Sequence, residues 1–342
     1  MKALSHLLLI VTATFSFSVS TTTYAETTNT KVSERTFCVW DPVGSGGPIV
    51  SMVKGLIPKS LSWGVKLNIE AYTDEKVAAN DFKGEACDAV LLTDVSIRDF
   101  NRFTSTYNAV GAIPSEAELK TLLSTLSSPK ASKLMKQGQY EIAGIFPIGS
   151  VFIFVKDKAI DNVEHFHGQK MAVLNGDPVA ANMVRRVGGS VVPSSLANFA
   201  GMFNNGSVDI VFAPAVAFNT MELYKGLEPS GGILEYPLLQ TSLQLVIHHE
   251  KFPDGYGQKL RSYSLSKLDS MLDVVHTAES EIPDKYWINI AEDDKSQYTN
   301  YMRNARISLR DEGFYETKAL RLMRKVRCKH TPGNGECATK IE

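Results

Sequence analysis

A chain of 342 residues with 44% hydrophobic and 21% charged content has the make-up of a globular protein, long enough for two domains that each bury a core. A formal net charge of −1 gives no field that would gather nucleic acid or an anionic membrane surface, so neither is expected as a partner.

Met1-Lys2, the apolar run LLLIVTATFSFSV and the small residues up to Ala25 read as a signal peptide over 1–25. Cleavage would start the exported chain at Glu26, and without a cysteine there no lipid anchor is expected. No later stretch approaches the roughly 20 apolar residues of a membrane helix, so no stable membrane insertion is expected. Residues 26–34, ETTNTKVSE, are polar and unpatterned and read as a flexible leader.

RTFCVW, over 35–40, is a short apolar and β-branched run expected as a buried strand. Asp41-Pro42-Val43-Gly44-Ser45-Gly46-Gly47 then breaks the chain into a turn. From Pro48 the spacing of Ile49, Met52, Val53, Leu56 and Ile57 predicts one helix reaching about Leu61. VKLNIEAY is a second strand, a short polar helix follows, and CDAVLLTD is a third strand. Strands alternating with helices imply a parallel sheet covered on both faces. The loops leaving its carboxyl ends, 41–47 and Thr93-Asp94, make the expected ligand crevice.

Four cysteines in an exported chain suggest two disulfides, with three pairings open by count. Cys38 and Cys87 stand at comparable depths near the starts of two neighbouring strands, which favours their pairing and leaves Cys328 with Cys337 to clip the tail. No CxxC or haem attachment motif occurs.

Residues 115–137 read as two helices broken near SSP, and IAGIFPIGSVFIFVKD as one or two strands carrying the chain out of the first lobe. A second α/β unit follows, from QKMAVLNGD to SVDIVFAPA, with Asp177 before Pro178 suited to cap its first helix. From about Leu260 the chain is mostly helical. Its last helix, KALRLMRKVRCKH, reads as a surface helix that packs an apolar stripe and solvates its basic residues. The expected organisation is lobe 1 over 35–147, lobe 2 over 148–236, a return to lobe 1 over 237–262, a helical region over 263–327 and a disulfide-clipped tail over 328–342.

The turn at Gly44, Gly46 and Gly47 lacks both the Walker spacing and the dinucleotide fingerprint, so no nucleotide cofactor is implied. It feeds a helix N-terminus, where free N–H groups favour a polar oxygen; contact with a small ligand and a plain tight turn both fit. Ser45 lies outside any G-x-S-x-G elbow. His165 and His167 sit in a polar turn, and the pairs His248-His249 and Asp293-Asp294 carry no ligand spacing. No metal site, cofactor or enzymatic chemistry is expected.

The stretch VEHFHGQKMAVLNGDPVAANMVRRVGGSVVPSSLANFAGMFNNGSVDIVFAPA resembles the second lobe of TRAP-transporter periplasmic solute-binding proteins through Gly168 and Lys170, Gly188-Gly189, and Gly206 with Val208-Asp209. The whole exported chain, including ELYKGLEPSGGILEYPLLQTSLQLVI, is similar to the AdeT-type solute-binding proteins, a divergent branch of that group. The resemblance implies a two-lobed type II periplasmic-binding-protein fold in the periplasm, with a ligand held between the lobes. It also implies no catalysis. The TRAP arginine that grips a ligand carboxylate falls at Ala172 and its asparagine near Ala213, so a sugar acid or dicarboxylate held in the TRAP manner is not expected. Arg185 and Arg186 lie too far along the next helix to replace it.

The expected ligand-binding residues are therefore Trp40, Asp41, Ser45 and Gly46, then Thr93 and Asp94, then Asn175 and Asp177, with Asn219, Gln240 and Gln244. Trp40 offers a stacking face. Three aspartates favour a cationic or amine-bearing small molecule, although each also suits a turn or cap. The function expected is capture of a small molecule for a membrane transporter; the alternative is a non-transporting accessory protein of an envelope RND-type efflux system linked to drug resistance.

Overall fold

A computed structural model describes residues 32–342; the expected signal peptide and most of the expected leader lie outside the described residues. Strand β1 (Ser33–Trp40) is buried without a break from Phe37 to Trp40, as a strand covered on both faces must be. It begins two residues before the expected Arg35, because Ser33 N bonds Gly64 O and the pairing with β2 (Val65–Tyr72) starts there. β3 (Ala89–Thr93) lies parallel on its other side, and a Cys38–Cys87 disulfide ties the two.

The helix expected from Pro48 to Leu61 is two helices, α1 (Pro48–Lys54) and α2 (Ile57–Ser62). Pro58 has no N–H for the Lys54 carbonyl and its ring excludes that carbonyl, so the chain tightens at Gly55 and Leu56, whose N–H groups bond Met52 O and Val53 O. α3 (Glu75–Lys83) is capped by Asp74, which accepts from Lys76 N and Val77 N. After α4 (Arg102–Ser105), α5 (Glu116–Ser127) starts in a Ser115–Glu118 capping box. The second helix expected after it is only a 3-10 turn at Pro129–Ala131, leading to β4 (Lys136–Gln137).

β5 (Tyr140–Val155) is one strand of 16 residues. Its first part pairs antiparallel with β10 (Leu239–His248), and its last part with β8 (Ile210–Pro214). The second unit adds β6 (Lys170–Leu174), α6 (Pro178–Arg186), β7 (Ser190–Ser194) and α7 (Phe199–Asn204). α8 (Ala217–Thr220), α9 (Tyr224–Leu227) and β9 (Gly232–Leu234) follow β8. The order β2-β1-β3-β10-β5-β8-β6-β7 shows two parallel outer groups joined by two long antiparallel strands, a mixed sheet where a parallel one was expected. Between Thr241 and Ser242 of β10 the register shifts, Thr241 facing Gly149 and Ser242 facing Pro147, so Ile148 bulges out of the ladder. Gly149 has φ +108°, a conformation only glycine takes freely.

The core divides with the strands. One apolar cluster gathers Phe37, Leu91, Leu122 and Val246; smaller ones form around Phe154 and Phe203 and around Val155 and Ile210.

α10 (Tyr256–Ser266) and α11 (Leu268–Ser280) pack on β5, and β11 (Trp287–Ile288) pairs with β9. α12 (Glu292–Asp311), α13 (Thr317–His330) and α14 (Gly335–Thr339) close the chain, α13 lying against α5. The Cys328–Cys337 disulfide folds α14 back onto α13. α13 departs from the expected solvated basic face: Arg324 and Arg327 are buried. Arg327 and Arg306 meet the carboxylates of Glu336 and Glu342, and Arg324 donates to Glu342 O at 2.9 Å. Four opposite charges in one desolvated cluster satisfy each other, which is what allows them to leave water.

Candidate ligand-binding site

The glycine-rich turn after β1 is built around its own carboxylate. Asp41 is fully buried; Oδ1 accepts from Val43 N at 2.9 Å, and Oδ2 from Ile49 N at 2.8 Å and Val50 N at 3.0 Å. The N–H groups at the start of α1 are thus taken by the chain itself. Gly44 turns at φ +84°, and a Cβ on Gly47 would stand 2.0 Å from Asp41 Oδ1. Gly47 makes room for this buried cap and Gly44 supplies the left-handed turn, so the start of α1 is satisfied from within the chain, as in the plain-turn reading.

A cavity of about 1590 Å³ opens between the strand-end loops of the two halves. From the first half, Trp40, Thr93 and Asp94 line it; from the second, Ala172, Asp177 and Ser194. Its wall is completed by the bulged Ile148 and by α11 and α12 through Met271, Val275, Tyr301 and Met302. Most of this surface is aliphatic or aromatic, as in ligand pockets generally, although the space exceeds the usual size of roughly 300–1,000 Å³.

Asp94 is the most enclosed charged group on the wall. Oδ2 accepts from Ser242 N at 2.8 Å and Ser242 Oγ at 3.3 Å, and Oδ1 from Thr241 Oγ1 at 3.2 Å and Asn108 Nδ2 at 3.4 Å. Burial pushes its pKa up to about 7, against the pull of those hydrogen bonds. Asp177 caps α6 by accepting from Ala180 N at 3.0 Å; burial raises its pKa, partly opposed by the bonds from the helix and by the Arg98 charge. Arg98 is half-buried on the same wall, donates to Phe314 O, and has its own pKa lowered by burial. Asp74, Asp94, Asp177 and Glu222 thus face the space against Arg98 and Lys267, a milder acidic bias than three lone aspartates would give.

Of the residues expected from sequence, Trp40, Thr93, Asp94 and Asp177 meet on this wall. Asp41 does not line it. Ser45, Gly46 and Asn175 are also absent from the wall, Asn175 being an exposed turn residue. Asn219 is turned to Glu281 Oε2 at 2.9 Å. Gln240 donates to Ser150 Oγ at 3.0 Å and Gln244 to Thr104 O at 3.1 Å, which holds both inside the core. His165 pairs with Asp161 at 3.0 Å, and among the described residues no cluster of three metal-ligating side chains occurs. Arg186 is held by Glu312, clear of the cavity. Arg98, Thr241 and the α11 and α12 faces were not read from sequence; the spacing of Tyr298, Tyr301 and Met302 was their only signal, and it looks the same as core packing.

Residues 48–342 match the family profile described as "Solute-binding protein AdeT 1/2". The chain belongs to the AdeT 1/2 solute-binding family. Among its relatives is a protein of Acinetobacter baumannii described as "Probable solute-binding protein AdeT1", 39% identical over 304 residues that span 89% of this chain and 100% of that one. A second, "Probable solute-binding protein AdeT2" of the same organism, is 26% identical over 67% of this chain and 97% of its own. Solved structures share the fold at low identity. A TRAP periplasmic solute-binding protein of Haemophilus influenzae with bound L-gulonate aligns at TM-score 0.69 and 10% identity, over 86% of this chain and 99% of that one. Another from Desulfovibrio salexigens, with bound orotic acid, aligns at 0.65 and 12% over the same shares. The chain thus shares the two-lobed type II fold of these TRAP periplasmic solute-binding proteins.

Proposed function

We propose that the inter-lobe cleft captures a small molecule in the periplasm and that the loaded protein delivers it to a membrane transporter, without catalysing any reaction. The observation that carries this reading is the cavity at the strand-end loops of both lobes, where the two parallel strand groups of the mixed sheet expose their carboxyl-end loops. Solved relatives with bound L-gulonate and orotic acid support it. Among the described residues no helix is long and apolar enough to cross a membrane, which fits a protein that meets its transporter from outside the bilayer.

Two buried alanines separate its ligand from a sugar acid held by a guanidinium fork. Ala172 and Ala213 carry only methyl groups, and the arginine of the cavity wall, Arg98, is engaged with Phe314 O and feels the Asp177 charge. Four carboxylates against two cations on the wall favour a neutral or cationic molecule.

Thermal melting with a panel of cationic, neutral and carboxylated metabolites tests the function. A ligand at about 100 times its Kd adds about 2.7 kcal/mol, enough to move the melting point clearly. Asp94→Ala should abolish a cationic response. Asp41→Ala should lower the baseline and leave the response in place. If every metabolite leaves the melting point unmoved while affinity capture from envelope extracts recovers an efflux component, the accessory reading replaces transport.

A further inference from the structure

The cleft wall says more about the ligand than its charge. Met183, Phe212, Leu239, Met271, Val275 and Met302 present hydrocarbon or thioether to the space, and they come from five different elements, α6, β8, β10, α11 and α12. A sugar or small acid would leave most of that wall bare to water. The rim repeats the pattern. Among the described residues few large apolar side chains stand exposed, and three of them ring this opening: Val43 at 69%, Met52 at 38% and Val274 at 63%. Exposed apolar side chains gathered around one opening mark a surface that something apolar covers.

The polar atoms of the wall are a minority, and several of them stand without a partner among the described residues. Thr93 Oγ1, Ser194 Oγ, Asn204 Oδ1, Tyr301 Oη and Tyr315 Oη, all on residues that line the cavity, have no hydrogen-bond partner. Asp94 is the one buried wall carboxylate, its oxygens accepting from Thr241 and Ser242 of β10 and from Asn108, while the opposing cation, Arg98, donates to Phe314 O and feels the Asp177 charge at longer range.

Resting on the reading of the cleft as a solute site, we infer that its ligand is a bulky, predominantly apolar molecule carrying an amine or other hydrogen-bond donor, its hydrocarbon body against the methionine-rich wall and its donor toward Asp94. Methionine suits this task because its flexible thioether fits varied apolar shapes. The donor end gives orientation, while the burial of hydrocarbon gives most of the affinity.

The test uses the exported chain and N-phenyl-1-naphthylamine, a neutral apolar fluorophore with one N–H. Saturable one-to-one binding is expected, weakened about tenfold or more by Met183→Glu or Met271→Glu, which place a charge against the apolar wall. Val77→Glu, at an exposed side chain away from the cavity, should bind as the unaltered protein does. Decylamine should displace the probe about tenfold better than decanoate, and Asp94→Asn should erase that difference. Equal loss in all three glutamate variants, or equal binding in all of them, would place the probe outside the cleft and overturn the inference. Failure of the probe alongside a melting shift with a sugar acid or dicarboxylate overturns the ligand class and leaves solute binding intact. Failure of both removes the solute reading with it.

Discussion

Two aspartates that look alike in sequence have different tasks. Asp41 receives three backbone N–H groups and closes a turn; Asp94 receives four donors, three from Thr241 and Ser242 of β10 and one from Asn108, and faces the cavity. The second arrangement has a pH consequence. With its pKa near 7 folded and about 3.9 unfolded, Asp94 binds more protons in the folded state between those values. Its contribution to stability is fully present below about pH 4, declines as pH rises, and is gone above about 7. The melting temperature of the unaltered protein minus that of Asp94→Asn should therefore fall from pH 4 to pH 7 and stay flat above it. A difference that grows with pH over this window would show that Asp94 titrates as an ordinary paired carboxylate.

The turn, helix and strand elements show where local rules suffice. The run from Phe37 to Trp40 and the alternation around VKLNIEAY were legible because burial dictates residue type directly along a strand. The break between α1 and α2 was not, since Pro58 sits among apolar residues whose helical spacing continues past it. The cap at Asp41 depends on a partner eight residues away, Ile49, and on the space left by Gly47, which no local pattern states. Asp41→Ala leaves buried helix N–H groups unpaired and should cost about 1–3 kcal/mol in denaturant unfolding. A loss below about 0.5 kcal/mol would mean that water reaches that helix end. The bulge at Ile148 belongs to this scale as well: the shift that expels Ile148 from the ladder lies beside Ser242, whose N–H turns to Asp94. One wall carboxylate and the strands joining the lobes are in this way a single hydrogen-bonded unit.

Across the whole molecule, β5 and β10 are the connection between two α/β halves, with the cavity on the loops that face each other across it. Two lobes joined by a pair of strands can close about them as a hinge, and an apolar wall gives closure its driving force by removing that surface from water. Saturation with N-phenyl-1-naphthylamine should lower the radius of gyration measured by small-angle X-ray scattering. An unchanged radius at full occupancy would show a cleft that binds without closing. The C-terminal helices stiffen the first half independently, through the buried cluster of Arg306, Arg327, Glu336 and Glu342 and through Arg306 Nη1 donating to Val110 O at 2.8 Å.

The sequence by itself determined the α/β class and the strand cores, because each depends on residue type at short range; the disulfide partners were also read correctly, but Cys38 lies near the end of β1 and Cys87 two residues before β3, not at equal depth along their strands. It also determined what the cleft lacks, a guanidinium at Ala172. Only the tertiary structure decided what the cleft has. Asp41 left the candidate site and Asp94 stayed because their hydrogen-bond partners lie elsewhere in the chain, and the apolar wall was assembled from strands, loops and two C-terminal helices far apart in sequence. A methionine or tyrosine on a helix face reads the same whether it fills a core or lines a cavity; the difference lies in what stands opposite, and that is set by the fold.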